Sequence, residues 1–251
     1  MDASRRQAAE VLERPAVDGR VPTSRPSTAG GIDWHPVLAS LFGAYTALAL
    51  AFSAAGVALV HLGPLEGLRD WDLSVSEWFE AHRTATWDSV MTFGSRLGET
   101  EAVVAVAIIA VAVLFRLHHR WAAAVIAFGL ALEVATFITA NNLVRRDRPP
   151  VSTVGDAPTT FSFPSGHVAA TVVLWGGLAL VVLALTRRNA LRALVWLAPA
   201  LFVAAVASAR VYRGMHFLTD VVAGVVLGVL TLVIVWRTFA PPSALVQEDR
   251  A

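Results

Sequence analysis

Between Arg210 and Asp220 the sequence reads RVYRGMHFLTD, which sets a guanidinium, an imidazole and a carboxylate at the mouth of an apolar run. His216 and Asp220 are four residues apart. A helix beginning near residue 215 would carry both on one face, about 6 Å apart along its axis. A carboxylate bonded to one ring nitrogen fixes the tautomer and frees the other nitrogen to attack an electrophile or accept a proton. Arg210 stands just before them, and its planar fork suits two oxygens of a phosphate. The same His/Asp pair would equally serve as a solvated helix cap.

A second cluster, Pro164, Ser165, Gly166 and His167, opens another apolar run. The unpaired N–H groups of a first helical turn, with the positive end of the helix dipole, stabilise negative oxygens. Ser165 either caps the helix or donates its hydroxyl, and Gly166 lets a ligand approach the backbone. His167 stands where a protonated imidazole gives its proton to a leaving oxygen.

The elements that must position these groups are membrane spans. Of 251 residues, 56% are hydrophobic and 16% charged, and the mean hydropathy is +0.60, values outside the range of a soluble domain. All 20 basic residues are arginine and cysteine is absent, which excludes lysine Schiff bases, disulfides and thiolate nucleophiles. A net charge of +1 argues against nucleic acid as a partner, since that requires a concentrated basic face. Apolar runs at 37–62, 101–117, 121–144, 168–186, 191–211 and 217–236 predict an all-α fold, an integral membrane bundle of six transmembrane helices. Between the first two, Trp71, Val75, Trp78 and Phe79 recur at helical spacing among Asp72, Glu77, Glu80 and Arg83, predicting one amphipathic helix at an interface. That helix would either gate lipid entry or simply lie solvated. The chain divides into a disordered cytoplasmic tail at 1–32, the transmembrane domain at 33–240 and a short cytoplasmic tail at 241–251.

Orientation follows from the arginines. Arg5, Arg6, Arg14, Arg20 and Arg25 in the tail, and the turns holding Arg116 with Arg120 and Arg187, Arg188 with Arg192, have the cytoplasmic bias of basic residues. With six spans, 145–164 and the turn around Arg213 then face outward. Arg148, His167, Arg210 and His216 all reach that same side, with a helix N-terminus among them.

RRDRP at 145–149, PSGH at 164–167 and ARVYRGMHFLTD at 209–220 together resemble the three-part signature of the type-2 phosphatidic acid phosphatase superfamily. The resemblance spans the third to the sixth helix. It implies that His216 takes the phosphoryl group as a phosphohistidine, that Asp220 holds and polarises it, and that His167 is the general acid and then the base that activates water. It further implies that Arg148, Arg210, Ser165 and the Gly166 amide bind the phosphoryl oxygens, with no metal and no cofactor. Two positions depart from the pattern. Asn141 stands where the family has a lysine, and Arg145, four residues on, is expected to replace it, beside Arg146 at a position often basic in the family. Ala209 stands where serine is usual.

The reading is a lipid phosphatase of a bacterial inner membrane, working at the outward face with both termini cytoplasmic. Undecaprenyl diphosphate, phosphatidic acid and phosphatidylglycerol phosphate all fit as substrates. A lipid phosphotransferase using the same intermediate, or a weakened lipid-binding protein, remain as alternatives, and the residues do not fix an oligomeric state. Glu133, midway along the third span, is either part of a polar path or headgroup site, or a carboxyl packed between helices.

Overall fold

A backbone surrounded by hydrocarbon must satisfy its own polar groups, and the long apolar runs do so as helices. The computed structural model describes residues 34–156, 159–186 and 189–240, so both expected tails and the pair Arg187 and Arg188 lie outside the described residues. Eight helices follow in order: α1 Trp34–His61, α2 Glu66–Ala81, α3 Ala85–Arg96, α4 Thr100–Arg116, α5 Arg120–Val144, α6 Gly166–Leu185, α7 Asn189–Tyr212 and α8 Leu218–Phe239. Among the described residues, six stretches are long and apolar enough to cross a membrane: α1, α3 with α4, α5, α6, α7 from Leu194, and α8.

The segment between the first two spans differs from expectation in two ways. It forms two helices: the first stops at Ala81 with His82 as its C-cap, and Thr84 caps the next by accepting from the Trp87 N–H at 3.3 Å. The second of these, α3, continues the apolar path of α4, which by itself is short for a span. The apolar stripe expected of α2 is also split between two faces. Trp71 and Trp78 are exposed, whereas Asp72 and Ser76 are fully buried, with Val75 and Phe79 packed on an apolar cluster around Val168, Val206, Val211 and Val221.

Two larger clusters hold the bundle together. One joins Leu41, Leu48, Phe52 and Leu59 of α1 to Val125, Leu132 and Ala140 of α5 and Leu227 and Val235 of α8. The other joins Val103, Ala107 and Leu114 of α4 to Ala122, Ala123 and Ile126 of α5 and Leu174 of α6. Outward-facing Leu50, Ile108, Ile109 and Leu201 stay exposed, as a lipid-facing surface requires. Helices α6 and α8 approach closely because α8 presents glycines: a Cβ on Gly224 would stand 2.5 Å from the Ser165 carbonyl oxygen, and one on Gly228 would stand 2.6 Å from Val172 Cβ. That contact presses the start of α6, where Ser165 and His167 sit, against the start of α8. A π turn at Val172–Gly176 then interrupts α6 one turn beyond His167.

Candidate active site

The loop from Arg145 to Ser165 and the turn from Arg213 to Phe217 meet at one end of the bundle. Gly214, at φ +70°, lets the turn reverse against the Ser152 carbonyl. The N–H groups of Met215 and His216 both donate to the Arg210 carbonyl, at 3.1 and 3.3 Å. The result is that His216 precedes α8 instead of lying on it. Phe217 is the N-cap of that helix.

This changes how the imidazole is held. Its Nδ1 is 3.9 Å from Asp220 Oδ2, beyond hydrogen-bond reach, and 2.7 Å from the Ser162 carbonyl oxygen. A carbonyl only accepts, so Nδ1 carries the proton and Nε2 offers its lone pair. The tautomer expected from a His/Asp pair is present, but a backbone oxygen sets it. Burial, reinforced by the positive charges of Arg210 and Arg148, holds the His216 pKa well below the usual imidazole range. The ring is thereby kept neutral and nucleophilic.

Asp220 is tied elsewhere. Its Oδ2 accepts from the Phe217 N–H at 2.9 Å, closing the first turn of α8, and its Oδ1 receives Arg146 Nη1 at 2.5 Å. The other end of Arg146 meets Asp72 Oδ2 at 2.8 Å, and its guanidinium stacks 4.0 Å over the Phe217 ring. Asp72 also accepts from the Thr219 N–H at 3.1 Å and from the Thr219 hydroxyl. Arg146 is therefore an internal clamp between α2 and α8, not a free cation. Arg145, placed as the C-cap of α5 in a left-handed conformation at φ 51°, is exposed and donates through Nε to the Asn142 carbonyl at 3.0 Å. It does not line the cavity described below. Asn141, in place of the family lysine, donates to the carbonyls of Phe161 and Phe163 at 2.9 and 3.0 Å and anchors the loop that leads into Ser165.

The remaining expected residues converge. A cavity of about 280 Å³ is lined by Arg148, Gly166, His167 and His216 at its polar end and by residues of α4, α5 and α6 below. Arg148 donates to the carbonyls of Thr160 and Phe161 at 3.0 and 3.2 Å, to the Thr160 hydroxyl at 3.1 Å, and to the Met215 carbonyl. Arg210 is 2% exposed, yet only its Nη1 has a partner, the Ser95 hydroxyl at 3.3 Å. Its Nε and Nη2, and the Ser165 hydroxyl, are buried without one. Partnerless buried donors are costly, and a guanidinium and a hydroxyl left so have the chemistry that suits an anion. Gly166 has the Phe137 ring 3.0 Å from where a Cβ would lie, so its smallness admits this ring as well as any ligand.

Val104, Val134 and Ile138 line the cavity and are also exposed on the bundle surface. The cavity therefore opens sideways between α4 and α5, on the surface that hydrocarbon would cover, and α2 does not form its rim.

Sequence reasoning missed Asp72, Ser95 and Ser162. Asp72 and Ser76 share a face of α2 at i, i+4, and that polar pair is the signal that could have found Asp72. The Ser162 contribution is a backbone oxygen and left no signal.

The PAP2 superfamily model matches residues 122–242. No curated protein matches the chain. Among solved structures, a transmembrane PAP2-type phosphatidylglycerolphosphate phosphatase from Bacillus subtilis is similar at TM-score 0.64 and 23% identity, over 87% of this chain and 98% of that one. Aquifex aeolicus LpxE is similar at TM-score 0.52 and 20% identity, over 66% of this chain and 94% of that one. Both likenesses concern the fold.

Proposed function

We propose, from the match of residues 122–242 to the PAP2 superfamily model, that the protein is a membrane lipid phosphatase that hydrolyses a lipid phosphate or diphosphate through a phosphohistidine. The observation that carries this reading is the set of partnerless donors on Arg210 and Ser165, in a site where two imidazoles, His167 and His216, line one cavity. Phosphoryl transfer needs positioning and charge stabilisation more than covalent assistance. The lipid enters between α4 and α5 and seats its phosphoryl oxygens on Arg210, Arg148, the Ser165 hydroxyl and the Gly166 amide. Nε2 of His216 forms a bond to phosphorus while the bond to the lipid oxygen breaks. His167, protonated once the anionic phosphate is seated beside it, gives its proton to that oxygen. Neutral His167 then takes a proton from water, whose oxygen bonds phosphorus as the P–N bond breaks and inorganic phosphate leaves. Asp220, 3.9 Å from Nδ1, offsets the positive charge that the ring acquires in the intermediate. The arginines neutralise the phosphoryl oxygens without a metal. By the positive-inside rule the site faces outward from a bacterial inner membrane.

The test is phosphate release from a panel of lipid phosphates by the purified protein in detergent, with EDTA present. Wild type is expected to release phosphate and to retain label from substrate in an acid-labile, alkali-stable form. His216→Ala is expected to do neither. Release by His216→Ala at the wild-type rate would overturn the reading, and label retention without release until an alcohol is added would identify a transferase.

A further inference from the structure

Glu133 is the feature of this cavity that phosphoryl transfer leaves unused. It lies on the face of α5 that lines the cavity, at helical spacing with Leu130, Val134, Phe137 and Ile138. Its side chain is 1% exposed and neither carboxyl oxygen has a hydrogen-bond partner. A buried polar group without a partner, in a zone that is otherwise hydrocarbon, is expensive to keep. An apolar residue would pack there at less cost, so the carboxyl needs a partner that the chain itself does not supply.

Its depth says what that partner is. Phe137 packs against Gly166, beside the phosphate seat, and Glu133 lies one turn further in along α5, about 6 Å by helical rise. A lipid phosphate seated at His167 and His216 places the first few atoms beyond its bridging oxygen at that level. In a glycerol-based phosphomonoester those atoms carry an ester or a hydroxyl, neutral groups that a carboxyl can bond. In a prenyl diphosphate the same level holds the second phosphate, for which a carboxyl is the wrong neighbour, and beyond it only hydrocarbon.

Resting on the phosphatase reading, we propose that Glu133 is a specificity-determining residue that hydrogen-bonds the neutral polar linker of a glycerol-based lipid phosphomonoester and disfavours prenyl diphosphates. The experiment compares kcat/KM for dioleoyl phosphatidic acid, a monoalkyl phosphate of similar chain length and farnesyl diphosphate, in wild type, Glu133→Gln and Glu133→Leu. Wild type is expected to favour phosphatidic acid. In Glu133→Leu the ratio of phosphatidic acid to monoalkyl phosphate should fall about tenfold, the size of one lost hydrogen bond in a dry site, and the diphosphate should gain relative to both. Glu133→Gln, which keeps the hydrogen-bonding capacity, should retain most of the first preference, and a loss carried mainly by KM would mark a binding contact. Unchanged ratios in active variants would overturn this proposal alone. Failure of wild type to release phosphate from any of the three would overturn the phosphatase reading and this proposal with it.

Discussion

Two polar regions lie within one end of the same bundle and are built on opposite principles. In the clamp between α2 and α8, Arg146, Asp72, Asp220 and Thr219 satisfy one another, and even the Phe217 N–H is taken. Beside the cavity, Arg210 and Ser165, with Glu133 in its lining, are as deeply buried and keep unpaired atoms. Burial alone does not separate structural polar groups from functional ones. Pairing does: the groups of the clamp are satisfied within the chain, whereas Arg210 and Ser165 keep donors that the chain does not satisfy.

If that division holds, variants on its two sides will fail differently. The largest effect is expected from Arg210→Ala, which removes a cation from the phosphoryl oxygens and should cost about a thousandfold in kcat/KM, the scale of losing a catalytic arginine. Its unfolding midpoint should match or exceed that of wild type, since almost no pairing is lost. A drop in stability without a drop in turnover would break the comparison. Arg146→Ala should do the reverse, because it leaves the carboxylates of Asp72 and Asp220 buried without their counter-charge. About 3–5 kcal/mol of stability is expected to go, read by denaturant unfolding in detergent.

Ser165→Ala sharpens the contrast, with an expected loss of about tenfold in kcat/KM from one hydrogen bond to a charged oxygen and no measurable change in unfolding. The smallest effect is expected at Arg145→Ala. Its guanidinium is exposed and bonded to its own helix, so activity should stay within about twofold, the range of surface changes. A severe loss there would restore the idea that this arginine replaces the family lysine.

Acid should act on both properties through His216. Its folded pKa is depressed, so between that value and the ordinary imidazole value of about 6.5 the unfolded chain binds the extra proton. Stability from this ring is complete above about pH 6.5 and declines as pH falls through that window. The acid limb of kcat/KM due to this nucleophile should likewise lie below the ordinary imidazole value, checked by a pH–rate profile in wild type.

Much of this is legible in the sequence. Runs of apolar residues fix span number because hydrocarbon tolerates little else. The convergence of Arg148, His167, Arg210 and His216 followed from counting crossings. What could not be read depends on direction within a local element. Asp72 looked like the polar face of α2 because neighbouring tryptophans carry more apolar area, yet tryptophan suits an interface and the buried face holds the aspartate. The four-residue spacing puts Arg145 on the face of Asn141 only if the helix continues, and its left-handed conformation ends the helix there. His216 was paired with Asp220 by a spacing rule that holds inside a helix, whereas the imidazole sits ahead of one.

The sideways opening between α4 and α5 has a kinetic consequence. A ligand reaching the phosphate seat by that route arrives by lateral diffusion within the leaflet, so the quantity that saturates the protein is its mole fraction among lipids. Adding inert lipid at fixed total substrate should then slow turnover, although nothing in the surrounding water has been diluted.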